Sequence, residues 1–434
     1  MLDSVNYIFI LLGTLSILSI LVLCLVKVDI LHPVSLLTLI MTVSTFLATV
    51  KVDEWGLYIG FDTYLIYIAY IIIFIIGGLF VHTMIYQEQP LIGIDKSSTY
   101  SIKYKYLALF SILMIGMAYL NFQDIYALSL SVGNNQGYRG MIEAVRHGIE
   151  SYTIQFPRWL SYRFLIAQMI TYFYSYIFLY NSIIYKFEYK NLCLLVPTIL
   201  FFPFIILSTG RMMLIFYVIF LVVVSSLLYL KKHQFKLSNK FRLLFVQLGF
   251  AVFFISLFLL LGFFTGKVNV DSSPMRILAH YGGLSIPAFD RFVTEVSVES
   301  NYIGDHTLYG IYRNFASLGF EVPTIETFLK FTDYYGITTN VYTALRRYIQ
   351  DFGYIGTGIF MFIIGYIYTY IYESIKYKKW NSMKVILYAI FIYPLFLFPM
   401  DEKILMEIVN TNTVYIFFIA YILYLILLKG QVKK

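Results

Sequence analysis

Between residues 338 and 358 the chain sets two adjacent arginines, Arg346 and Arg347, beside Asn340, Gln350 and Asp351, directly ahead of an apolar run from Ile359 to Tyr370. Read as one helix, Asn340, Thr343, Arg347 and Asp351 fall at i, i+3, i+7 and i+11 and share a face. Arg347 and Asp351 then form an i, i+4 pair. Guanidinium groups grip phosphate oxygens through paired hydrogen bonds, and a nearby carboxylate can accept a proton. Charge at the mouth of a hydrophobic helix is costly unless it has a task. The set therefore suits an anionic head group. The competing account is an interfacial helix anchored by snorkelling arginine side chains.

The elements that must carry these residues follow from composition. Hydrophobic residues make up 60% of the chain and charged residues only 13%, about half the globular norm of roughly 25%. The abundance of Tyr and Phe suits helices crossing two membrane interfaces. The fold class expected is an all-α polytopic integral membrane protein, a single membrane domain over 1–434. A span needs about 20 mostly apolar residues. About eleven are expected, at 5–26, 33–50, 61–84, 106–121, 164–185, 191–208, 211–230, 243–265, 353–373, 385–400 and 411–428. The first reads as a retained span rather than a signal peptide, since no basic region precedes it. Cys24 and Cys193 both lie in apolar stretches and suggest neither a disulfide nor a metal.

Lysine-rich segments at 231–242, 374–384 and the C-terminal tail orient the spans by the positive-inside rule. They place the C-terminus in the cytoplasm and the N-terminus outside. On that topology ten of the 11 arginines, all but Arg242, face outward while 17 of the 21 lysines face inward. Positive-inside sorting accounts for the lysines and not for the arginines. Two outward segments are long enough to build a site. The first is 122–163, with Arg139 and a short helix expected over 141–150. The second is 266–352, with short helices over 277–293 that carry Arg276, His280, Asp290 and Arg291 on or beside them. Loops of that length inside a compact protein are usually functional.

At Ser208-Thr209-Gly210-Arg211, a hydroxyl is expected to cap the following span, whose free N–H groups and Arg211 would attract an anion. His280, Asp290 and Asp351 are rival candidates for a general base. No HExxH, CxxC, phosphate-binding glycine loop or Asp-x-Asp occurs, so no metal, cofactor or nucleic-acid partner is expected. Outward arginines at the mouth of hydrophobic spans fit a lipid with an anionic head, of which a polyprenyl pyrophosphate bearing a sugar chain is the obvious member. Its pyrophosphate leaves readily, and arginine can neutralise the charge that grows on it.

Thr339-Asn340-Val341-Tyr342-Thr343, followed by Arg346-Arg347, Asp351-Phe352-Gly353 and Gly356, resembles the signature of Wzy-type oligosaccharide repeat unit polymerases. The Ser208–Arg211 turn and the large loop before the ninth expected span are similar to that family as well. The motif covers about 25 residues and the layout the whole chain. The resemblance implies a GT-C-like glycosyltransferase in the bacterial cytoplasmic membrane. It would polymerise undecaprenyl-pyrophosphate-linked repeat units into O-antigen or capsular polysaccharide on the outer face. Arg211, Arg346 and Arg347 would contact the pyrophosphates, with Arg139, Arg276 and Arg291 as further binding candidates. Asn340 and Tyr342 would shape the site, and Asp351 would order Arg347 or act as base. A chain-length regulator and a flippase are the implied protein partners. The related O-antigen ligases carry a His-Asn pair where this chain has Thr339-Asn340, and a shorter spacing to the glycine, which favours polymerase over ligase. A flippase would show repeated halves and short loops, which this sequence lacks.

Overall fold

A computed structural model describes residues 5–86, 91–95, 98–151, 153–247, 249, 273–295, 302–322, 329–430 and 432–433. It is 74% helical with almost no sheet. Among the described residues, seven helices are long and apolar enough to cross a membrane, beginning at Ile8, Phe61, Tyr104, Tyr189, Met212, Leu345 and Thr411. The chain is thus a helical multi-pass membrane protein. Among the described residues this number is smaller than the eleven expected, for identifiable reasons. The apolar helix Pro33–Thr49 is short, and the one over Ser382–Leu397 is broken at Ile392. The helix Arg158–Tyr180 is long enough, but it is rich in tyrosine and begins with Arg158 and Arg163. The expected span at 243–265 lies, from residue 250 onward, outside the described residues.

The chain divides into two compact units. The first comprises Met1–Leu91, Ser272–Lys378 and Phe391–Val414. It holds α1 (Ile8–Leu25), α2 (Pro33–Thr49), α3 (Val52–Trp55) and α4 (Phe61–Val81). Further along the chain it holds α11 (Pro274–Gly282), α12 (Ser285–Glu295), α13 (Tyr309–Ser317), the hairpin β1–β2 (Thr332–Tyr334, Ile337–Thr339), α14 (Leu345–Tyr377) and α16 (Tyr393–Leu397). Its core is α4 packed along α14. Glycines allow the close approach: a Cβ on Gly77 would collide with the Phe362 carbonyl, and one on Gly365 with the Phe74 carbonyl. Small residues at a crossing let two backbones meet in a setting where lipid gives no hydrophobic drive for helix association.

The short helices of this unit sit on the long ones through specific bonds. Ser273 caps α11 by accepting from the Arg276 amide at 3.3 Å, with Pro274 in the first turn. Ser44 of α2 donates to the Gly282 carbonyl at 2.5 Å. Tyr67 of α4 donates to the Ile286 carbonyl of α12 at 3.3 Å. The hairpin turns through Tyr335 and Gly336, both with positive φ, and Asp333 accepts from the Gly336 amide at 3.1 Å.

The second unit comprises Ile92–Asp271, Lys379–Ile390 and Tyr415–Lys434. It contains α5 (Tyr104–Ser131), α6 (Met141–Glu150), α7 (Arg158–Tyr180), α8 (Val196–Leu207), α9 (Met212–Lys232) and a helix α10 over 237–247. Most of α15 (Ser382–Phe391) and of α17 (Thr411–Leu423) belongs to it as well. Its centre is α7, buried on all sides from Met169 to Ile177. Tyr172 stacks on Phe220 at 4.3 Å, and Ser175 and Thr198 both bond the Tyr217 hydroxyl. A second hydroxyl cluster joins Tyr100, Ser382, Tyr176 and Trp380. Each buried polar atom in these clusters has a partner, as a helix bundle in lipid requires.

Candidate functional site

The helix expected over 340–351 begins later than its sequence pattern suggested. α14 starts at Leu345, and residues 337–339 form β2. The β-branched residues Thr338, Thr339, Val341 and Thr343 disfavour a helix. Thr339 also diverts the backbone by accepting from the Val341 amide at 3.1 Å. Asn340 and Thr343 therefore lie outside α14. The expected Arg347–Asp351 pair is also replaced by longer-range partners. Arg347 donates from Nε to Asp401 Oδ1 at 3.2 Å and from Nη1 to the His306 carbonyl at 3.1 Å. Asp351 accepts from the His306 amide at 3.0 Å and from the Thr307 hydroxyl at 2.5 Å. Both residues thereby hold the 302–308 turn against the start of α14. Gly353, with φ 63° and ψ −175°, breaks the helix two residues later.

Arg346 takes the opposite course. Its guanidinium lies 3.9 Å from the Tyr342 ring centroid and 5.2 Å from that of Phe292. Tyr342 is fixed in turn, donating to the Lys330 carbonyl at 2.9 Å and bonding the Thr332 hydroxyl at 2.5 Å. On α12, Arg291 lies over the Tyr334 ring at 5.6 Å. The start of α14, the hairpin and α12 thus meet around two arginines that make three contacts with aromatic rings.

Asp290 of α12 is buried and accepts from the Gly60 amide at 2.8 Å. Burial raises its carboxyl above the usual range, opposed by Thr63, the Gly60 amide and Arg291. His280 on α11 is shifted down by burial and by the Arg276 guanidinium, which favours the neutral imidazole. Arg276 itself is exposed and lies 3.8 Å from Glu54. Asn340 is half-buried, with no side-chain bond to the other candidates among those described.

Arg139 and Arg211 belong to the second unit. Arg139 is exposed on the turn before α6, and Arg211 is the buried N-cap residue of α9. The hydroxyl cap expected there does not form. Ser208 donates instead to the Ile205 and Gly210 carbonyls, at 2.8 and 3.1 Å, and Thr209 adopts φ 58°.

One acidic element escaped the sequence reading. Asp401 bridges Arg347 and Lys403, and Lys403 reaches Glu407 at 2.9 Å. Glu402 is fully buried, accepting from the amides of Ile404, Leu405 and Met406 and from the Tyr348 hydroxyl at 2.8 Å. Burial pushes its carboxyl up, and these bonds oppose the shift. The available signal was the charged triplet Asp401-Glu402-Lys403 interrupting an otherwise apolar stretch.

These features define a multi-pass helical membrane protein with an arginine-, aromatic- and carboxylate-lined end in its first unit. In comparisons with known proteins, the chain matches no family model, no curated protein and no solved structure.

Proposed function

We propose that the protein is a membrane glycosyltransferase of the Wzy type. It joins undecaprenyl-pyrophosphate-linked oligosaccharide repeat units into O-antigen or capsular polysaccharide at the outer face of the bacterial cytoplasmic membrane. The observation that carries this reading is the Arg346 guanidinium set between Tyr342 and Phe292, with Arg291 over Tyr334, at the polar end of an apolar helix. Aromatic faces help hold each cation, and a guanidinium group suits a phosphate. Aromatic rings also suit sugar faces.

In the reaction, a hydroxyl oxygen of the acceptor sugar attacks the anomeric carbon of the donor. The bond from that carbon to the pyrophosphate oxygen breaks, and the lipid pyrophosphate leaves with the electron pair. Arg346 and Arg291 offset the charge that grows on it. The hydroxyl proton passes to a base, for which Asp290 and His280 are the candidates. Asp351 and Arg347 act by positioning, since their polar atoms already bind the 302–308 turn and Asp401.

The test is deletion of the gene in its native bacterium, with the surface polysaccharide run on a gel. The expected result is loss of the long-chain ladder with a single repeat unit still displayed. Wild type restores the ladder and Arg346→Ala, at equal protein level, does not. Loss of every surface sugar would instead point to ligation or flipping, and an unchanged ladder would overturn the proposal.

A further inference from the structure

At the other end of α14, roughly 30 Å from Gly353 at 1.5 Å per residue, a second polar cluster is buried in the first unit. Glu373 Oε1 lies 3.1 Å from His32 Nε2 and 2.6 Å from His82 Nδ1. The side chains of His32 and Glu373 are fully buried, and that of His82 is 12% exposed. The three donors come from the α1–α2 turn, the end of α4 and the last turns of α14, so no spacing in the sequence could reveal them. Their ligand atoms all lie within 4.8 Å of one another.

We propose that His32, His82 and Glu373 bind a divalent first-row transition metal ion of the zinc class. The inference stands apart from the proposed glycosyl transfer. Two imidazole nitrogens and one carboxylate oxygen are a recognised zinc ligand set, and the absence of thiolate argues against softer ions. Ligands held 2.0–2.1 Å from zinc in a tetrahedron sit roughly 3.3 Å apart. The 3.1 Å contact already fits, and the 2.6 Å contact fits after a small rotation. Glu373 is oriented for single-oxygen ligation. Its Oε2 faces Lys376 Nζ at 3.7 Å, and Lys376 is itself held by Asp29 at 3.5 Å, leaving Oε1 toward the imidazoles. His32 Nδ1 is buried without a hydrogen-bond partner among the described residues. No second partner therefore locks the proton on Nε2, and that nitrogen can present its lone pair to a cation. His82, at the rim, gives the ion its way in and a fourth position for water. Bound there, the ion would join the α1–α2 turn, α4 and α14.

The experiment uses the full chain, purified in detergent with a histidine-free tag, stripped by a chelator and titrated with Co2+ and then Zn2+. The expected result is about one ion per chain, visible-band Co2+ absorption that Zn2+ abolishes, and a higher melting temperature with Zn2+. His82→Ala should weaken binding by more than the roughly 10–100-fold that loss of an outer hydrogen-bond partner costs, and Glu373→Gln should behave alike. No Co2+ absorption in the wild type, or full stoichiometry in His82→Ala, overturns the site. Should both variants fail to fold, pulsed EPR of wild-type protein loaded with Cu2+ decides. Two coordinated imidazoles are expected, and fewer would overturn it.

Discussion

Arg346 and Arg347 are neighbours in sequence and do different work. Arg347 is 2% exposed and paired with Asp401, whose side chain is 28% exposed. Removing it leaves Asp401 paired with Lys403 and takes away the bond to the His306 carbonyl, so Arg347→Ala should destabilise by about 1.5–3 kcal/mol, the scale of a hydrogen bond to a charged group. Thermal unfolding in detergent measures this. Arg346 packs on the Tyr342 and Phe292 rings, contacts worth on the order of 1–2 kcal/mol, so Arg346→Ala should cost no more stability than that. Its activity should fall on the order of 100-fold, the scale of one lost partner for a developing charge. An in vitro chain-extension assay separates the two. Asp290 adds a pH signature. Its carboxyl is raised in the fold by burial, with Thr63, the Gly60 amide and Arg291 opposing and Asp62 reinforcing the shift. A raised folded value means that its stabilising contribution is complete below the unfolded carboxyl range and is lost as pH climbs through the folded value. The melting point of Asp290→Asn should therefore gain on wild type as pH rises above the ordinary carboxyl range. A gap that narrows instead would show that the carboxylate is favoured in the fold. Sequence spacing made the arginine pair visible. It could not show that Asp401 lies 54 residues downstream of Arg347, or that Phe292 of α12 meets Arg346.

At the scale of elements, α14 decides where everything polar sits. Its apolar stretch was legible because a run of hydrophobic residues fixes a membrane helix regardless of context. Its start was not, because β-branched residues and a local hydroxyl bond override a face pattern that would otherwise read as helix. Glycines set its two remaining features. Gly353 occupies a conformation open in practice only to glycine, so Gly353→Ala should cost about 1–3 kcal/mol and shift the polar turn relative to the span. Gly365 meets the Phe74 carbonyl with no room for a side chain. Gly365→Leu should overpack the α4–α14 crossing, costing at least the usual 1–3 kcal/mol. The expected readout is loss of monodisperse protein on size exclusion. A monodisperse, fully active Gly365→Leu would mean that the two helices can separate without consequence.

At the scale of the whole molecule, charge sorting is the strongest constraint on orientation. Lysine concentrates at 231–242, 374–384 and the C-terminal tail, while arginine gathers at the other ends of the same helices. α9 ends in Lys231 and Lys232 and begins beside Arg211, and α14 begins with Arg346 and Arg347 and ends at Lys376. Each of these helices thus has its arginine end at the N-terminus and its lysine end at the C-terminus. Basic residues near span ends are retained in the cytoplasm, so the lysine ends should face inward and the arginine ends outward. A fluorescent protein fused after residue 430 should then fluoresce, since it folds in the cytoplasm. Alkaline phosphatase fused at 137 or at 320 should be active, since it needs the oxidising exterior. The reverse pattern would put the arginine–aromatic site among soluble cytoplasmic nucleotides. The lipid-linked donor would then no longer be the substrate that its position selects.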